Sequence, residues 1–199
     1  MDWREGYEQA VARYEAGLAR ELDERQLVQL GNAAWAAGLC LLMDGDTAGA
    51  TEWLVRAAER YRESWDVGEA TVAWGRPIAA MKALLIAGED ARDAAEWAIE
   101  VGAPQAESPI GRYAGTLALL VLGRNEEADQ VAGTLGDPFP ADVAAALRAL
   151  AVGDGEAFAA AVADVRKSYE NRDGYLEDIP VADTALALDA LSRIARVGP

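Results

Sequence analysis

Apolar and polar positions repeat with a helical period along nearly the whole chain. Tyr7, Val11, Tyr14 and Leu18 recur on one face, with Glu8, Arg13, Glu15 and Arg20 on others, which predicts an opening amphipathic helix. Asp23 stands where it can cap a second helix, whose inner stripe is Leu27, Leu30, Ala34, Gly38 and Leu41. Asp44-Gly45-Asp46 ends that helix, since glycine accepts the left-handed backbone common at helix ends. Asp46 then caps a third helix, with Ala50, Trp53, Leu54, Ala57 and Tyr61 on one stripe. So short a turn forces the two helices to run antiparallel and in contact.

The same arrangement recurs. The spacing predicts a helix over 72–87, with Ile78, Met81, Leu84 and Leu85 inward, then a turn at Gly88-Glu89-Asp90 and a partner helix over 91–101. Ser108-Pro109 starts the next helix with a capping hydroxyl followed by a first-turn proline, and that helix covers 110–122. Gly123-Arg124-Asn125 turns it into a partner over 126–135. After the boundary at Asp137-Pro138-Phe139-Pro140, helices over 141–152 and 158–169 flank Gly153-Asp154-Gly155. Phe158, Val162, Val165 and Tyr169 share one face of the second. A polar stretch at 171–174 interrupts the pattern, and Pro180 precedes a last helix bearing Ala185, Leu188, Leu191 and Ile194. The total is about ten antiparallel helices, and no segment alternates with period two for long enough to predict a strand. No linker is visible, so residues 1–199 read as one all-α domain.

The turn glycines Gly45, Gly88, Gly123 and Gly153 recur at roughly 30- to 45-residue intervals, the range of helical repeats. The segment from Gly45 to Ala57 places a turn glycine, then Ala50, Leu54 and Ala57 in a small–apolar–small order, behind Gly38 and Leu41 of the preceding helix. This resembles the tetratricopeptide (TPR) motif. The segment from Gly123, with Ala128, Ala132 and Leu135, fits nearly as well. The Gly88 unit needs one inserted residue to bring Ala94 and Ala98 into place, and the Gly153 unit carries Phe158 where a small residue is usual. The resemblance implies an α-α superhelix, a TPR-like solenoid capped by its terminal helices, that binds protein segments on its concave face and carries out no catalysis.

Charge narrows the choice of partner. Thirty-four carboxylates against 18 basic residues give a formal charge of −16. Such a chain repels phosphate backbones and anionic lipid, so nucleic acid and membrane surfaces are poor partners. Arginine supplies nearly all the positive charge, lysine occurring only at Lys82 and Lys167. That balance suits a salt-rich cytoplasm or a high-GC genome. No signal peptide is visible and no apolar run reads as transmembrane, so a cytoplasmic location is expected. All-α immunity proteins of bacterial toxin systems share this size and acidity in general character, which keeps a toxin-neutralising role open as an alternative.

Several chemistries lack their residues. The chain has no histidine, which removes the commonest general base and the usual nitrogen ligands of zinc and iron. Its one cysteine, Cys40, lies in an apolar stretch, and no phosphate loop or calcium loop occurs. No cofactor is expected, and an enzyme would have to work with carboxylates alone. Glu96 and Glu100, four apart on one helix, read as a solvated face.

The expected binding residues are Asn32, Trp35, Trp74, Arg76, Lys82, Arg112 and Tyr113, which the resemblance places on or near the concave face, with Leu39 beside them. Arg76 and Arg112 occupy comparable places, in Trp74-Gly75-Arg76-Pro77 and Pro109-Ile110-Gly111-Arg112. Two guanidiniums, a lysine and aromatic rings in one groove would clamp a carboxylate of a protein or peptide. The competing reading is structural: both arginines pair with nearby carboxylates such as Glu69 and Glu107.

Overall fold

The computed structural model describes residues 2–68, 73–172 and 174–197, the side chains of 196 and 197 excepted. Among them are ten α-helices and no strand. The chain, read from sequence as one domain, divides into two compact units.

The first unit comprises residues 1–89 together with 173–181. It contains α1 (Trp3–Leu18), α2 (Glu24–Asp44), α3 (Thr47–Val67) and α4 (Gly75–Ala87). Each packs on its neighbour in sequence, and a 3₁₀ turn, Leu176–Asp178, lies against α2. The second unit holds α5 (Arg92–Glu100), α6 (Pro109–Val121), α7 (Asn125–Ala132), α8 (Ala141–Ala151), α9 (Gly155–Glu170) and α10 (Asp183–Val197). Helices α5 to α9 again pack in chain order, and α10 lies against α6, α8 and α9.

The helix ends follow local chemistry. Asp23, Asp46 and Ser108 cap α2, α3 and α6 as expected, their side-chain oxygens accepting from the N–H of Gln26 (2.7 Å), Gly49 (3.0 Å) and Gly111 (3.1 Å). At Gly45 the backbone turns left-handed, with φ +90°. Its N–H donates to the Leu42 carbonyl, and that of Asp46 donates to Leu41, which satisfies the last carbonyls of α2. Asp154 starts α9 at Gly155, three residues before the expected Phe158, by accepting from the Ala157 N–H. Helix α7 stops at Ala132 rather than 135, and α4 starts at Gly75; position 72 of its expected span lies outside the described residues.

Close approach is made possible by missing side chains. A Cβ on Gly17 would lie 2.7 Å from both Gln26 Nε2 and Leu30 Cδ2, one on Gly31 2.8 Å from the Tyr61 ring, and one on Gly38 2.7 Å from Leu54 Cγ. Helix α2 is therefore gripped from α1 on one side and α3 on another. This corrects the stripe expected for α1: the buried positions are Ala10, Tyr14 and Gly17, whereas Leu18 is 46 % exposed. The phase is set by where the backbone can come nearest, not by the largest apolar side chains. In α9 large residues do decide it, and Phe158, Val162, Val165 and Tyr169 are all buried.

Helix α2 also corrects an expectation. It is long and apolar enough to cross a bilayer by length and composition, although 72 % of its most apolar 18-residue window is buried within the protein. Its alanines and leucines serve a helix touched on several sides.

In the second unit Gly115 sits where a Cβ would fall 2.5 Å from the backbone of Pro104. Backbone cannot swing aside as a side-chain tip can, so Gly115→Ala is expected to destabilise the protein by about 1–3 kcal/mol. Gly155→Ala, with open space around its Cβ, should be neutral or slightly stabilising. Urea unfolding followed by circular dichroism checks both; equal stability of the two variants would refute the close-packing argument.

Candidate functional site

Five of the seven expected binding residues, Asn32, Trp35, Trp74, Arg76 and Lys82, fall in the first unit, and two, Arg112 and Tyr113, in the second. Trp35 is only 2 % exposed and packs in the core, with Lys82 Nζ 5.6 Å from its ring centroid. Lys82 is itself buried, as is Leu39. Asn32 Oδ1 accepts a 2.9 Å hydrogen bond from the Tyr61 hydroxyl, which ties α2 to α3. Trp74 stands half-buried at the start of α4.

Arg76 follows the structural reading, with Glu24 as its carboxylate, whereas Arg112 is anchored by main-chain carbonyls. Arg76 donates from Nη1 to the Ser64 carbonyl at 3.0 Å and pairs through Nη2 with Glu24. One guanidinium thus joins the start of α2, the end of α3 and the start of α4. Glu69, the expected carboxylate partner, lies outside the described residues. Arg112 donates to two main-chain carbonyls, Glu107 at 2.8 Å and Ala106 at 3.3 Å, and does not use the Glu107 carboxylate. Its buried Nε–H meets no acceptor among the described residues. Tyr113 is buried against Phe139, ring centroids 5.1 Å apart.

The tryptophan on the third helix also has a role beyond plain packing. Trp53 is half-buried, edge-on to Tyr14 (5.2 Å) and Tyr7 (6.3 Å), with the Arg56 guanidinium 4.4 Å above its ring. Arg60 donates to the Tyr14 hydroxyl at 3.0 Å. The Trp53 and Tyr14 faces are thus already met by the protein's own Arg56.

Two hollows on the first unit share a residue, Gln29. The first, of about 330 Å³, is lined by Arg13 and Arg20 of α1 and its following turn, by Gln26 and Gln29 of α2, and by Glu177 of the 3₁₀ turn. Gly17 leaves room for the Gln26 amide there. Arg13 Nε lies 3.2 Å from a Glu177 carboxylate oxygen. Arg20 is exposed and forms no ion pair among the described residues. The second hollow, of about 560 Å³, is lined by Asp23, Glu24, Arg25, Gln29 and Arg76. Of the expected residues, only Arg76 lines either one.

Together the hollows draw on four of the 18 basic residues and three of the 34 acidic ones. The surface is locally cationic in a chain of charge −16. Guanidiniums and carboxamides with free N–H groups suit a carboxylate and its adjoining amide. The sequence does contain a signal for this set: Arg13 and Arg20 are two turns apart, and Gln26 and Gln29 one turn apart. Nothing local, however, points to Glu177.

Burial dominates the titration of Cys40. Desolvation raises the Cys40 thiol above its ordinary range, with Arg13 opposing weakly. Glu96 and Glu100 are exposed, and no cluster of three or more His, Cys, Asp or Glu able to hold a metal occurs among the described residues.

Burial likewise pushes the Tyr113 phenol well above its ordinary value of 10.0, and the nearby Asp183 charge adds to the effect. The unfolded chain then loses this proton at lower pH than the folded one. Tyr113 should favour the fold fully below about pH 10 and lose that contribution as pH rises beyond it. In a spectrophotometric titration Tyr113→Phe should remove a late-ionising tyrosine, and it should reduce the alkaline loss of stability. An unchanged alkaline profile would refute this assignment. Comparison with protein-family models, with curated proteins and with solved structures found no match to this chain.

Proposed function

We propose that this protein is a non-catalytic recognition module of TPR-like kind that binds a protein or peptide through a carboxylate held at the Arg13–Arg20 end of the α1–α2 surface. The observation that supports it is the cationic, amide-bearing hollow in a strongly acidic chain. Long-range repulsion from the −16 charge disfavours general anion binding, so a ligand must gain from local, directional contacts. Gln26 and Gln29 supply those beside the two guanidiniums. The partner is thus a mostly neutral or basic segment with one carboxylate, such as a peptide end. Cytoplasmic residence accords with this reading.

The net charge also supports a second reading, a toxin-neutralising immunity protein whose acidic surface masks a basic one. A folded basic partner that binds tightly, weakens steeply with salt and is indifferent to Arg20→Gln would favour it.

The test uses N-acetylglutamate α-amide, which carries one carboxylate beside peptide-like amides, with the neutral N-acetylglutamine α-amide as control. Titration into isotopically labelled protein should shift the side-chain amide signals of Gln26 and Gln29, and Arg20→Gln should weaken binding by about tenfold, the loss of one charged hydrogen bond. No shift, or equal shifts with the neutral control, would overturn the carboxylate reading.

A further inference from the structure

We infer that Glu177 is a built-in occupant of the carboxylate hollow, and that the 3₁₀ turn carrying it is a latch which an incoming carboxylate displaces. The inference rests on the carboxylate reading above. Its own support is separate.

Glu177 presents to Arg13 the same chemical group that the hollow is suited to bind. It comes from a segment far along the chain that returns to the first unit. The turn is lightly held. None of the residues Leu176–Asp178 is buried, and Leu176 is 48 % exposed. The ion pair is partly open to water, with 44 % of the Arg13 side chain and 24 % of the Glu177 side chain exposed. A water-screened pair of this sort contributes modestly to stability.

The backbone adds a bias toward release. Glu177 and Asp178 have φ +55° and +59°, and they are the only non-glycine residues with positive φ among those described. Two successive side-chain-bearing residues in the left-handed region are disfavoured, and such geometry persists only where surrounding contacts impose it. Immediately behind the turn, Ile179 and Val181 are each only 4 % exposed. The segment therefore has a firm anchor, a strained turn and, at its tip, the Glu177–Arg13 ion pair. Swinging Glu177 away would break the Arg13 pair and relieve the turn, while the anchor stays in place. Arg13 would then be free to join Arg20 around an external carboxylate.

The competing account is plain electrostatics, in which Glu177 weakens binding only by its charge. Asp178 separates the two, because it sits one residue away and its carboxylate is not the one on Arg13. Glu177→Gln should bind N-acetylglutamate α-amide about two- to fivefold more tightly than the natural protein, the range that a water-screened ion pair represents. Asp178→Asn should change affinity much less. Tightening by both variants alike, or no tightening by Glu177→Gln, would overturn the latch while leaving the hollow's loss of binding in Arg20→Gln intact.

A ligand-free arm keeps the two readings apart. Hydrogen exchange of the amides of Asp178 and Ile179, which donate to Tyr175 and Leu176, should quicken in Glu177→Gln relative to the natural protein. Unchanged exchange would sink the latch whatever the ligand does. Faster exchange with no binding of N-acetylglutamate α-amide by any variant would show that the turn is held by Glu177 but would overturn its displacement by a ligand, together with the carboxylate reading itself.

Discussion

The first unit depends on how closely other helices can approach α2. Gly17 on α1 and Gly31 and Gly38 on α2 remove the Cβ atoms that would otherwise collide with Leu30, Tyr61 and Leu54. With the backbones that near, the interior is completed by Ala10, Ala34 and Ala57 together with a few leucines. Dispersion contacts are short-ranged, so this closeness is what makes an alanine-rich interface cohesive. The polar ties follow from it: the Tyr61–Asn32 bond and the Arg76 bridge from Ser64 to Glu24 form because the backbones are already held at that distance. Gly115 shows the same constraint in the second unit, against the backbone of residues 103 and 104.

Much of the helical organisation was legible because it is written locally. An Asp or Ser cap, a turn glycine and a three-to-four-residue apolar period each act within about a turn of helix, so the expected order of helices and turns matches the observed one. Errors arise where a distant contact decides. Reading α1 by its larger apolar residues put Leu18 inside, but α2 approaches over Gly17 and leaves Leu18 in water. Counting apolar residues undervalues a glycine that matters because it has no side chain.

The candidate site was less legible for the same reason. Trp35 and Lys82 look like groove residues on a helical wheel, yet they occupy the interior as a stacked pair. Arg76 and Arg112 hold matching sequence positions but meet different acceptors, a carbonyl and a carboxylate for one and two carbonyls for the other. The hollow near Arg13 combines α1, α2 and a turn from residues 176–178. No local pattern reports that return, because the sequence between carries no mark of which earlier helix it will meet.

The solitary cysteine gives the first unit a clock of its own. Cys40 is wholly buried in α2, and no other thiol exists in the chain. An alkylating reagent can reach it only when α2 parts from its neighbours, and the second unit contributes no background. The rate of modification under native conditions therefore counts openings of one unit while the other remains silent.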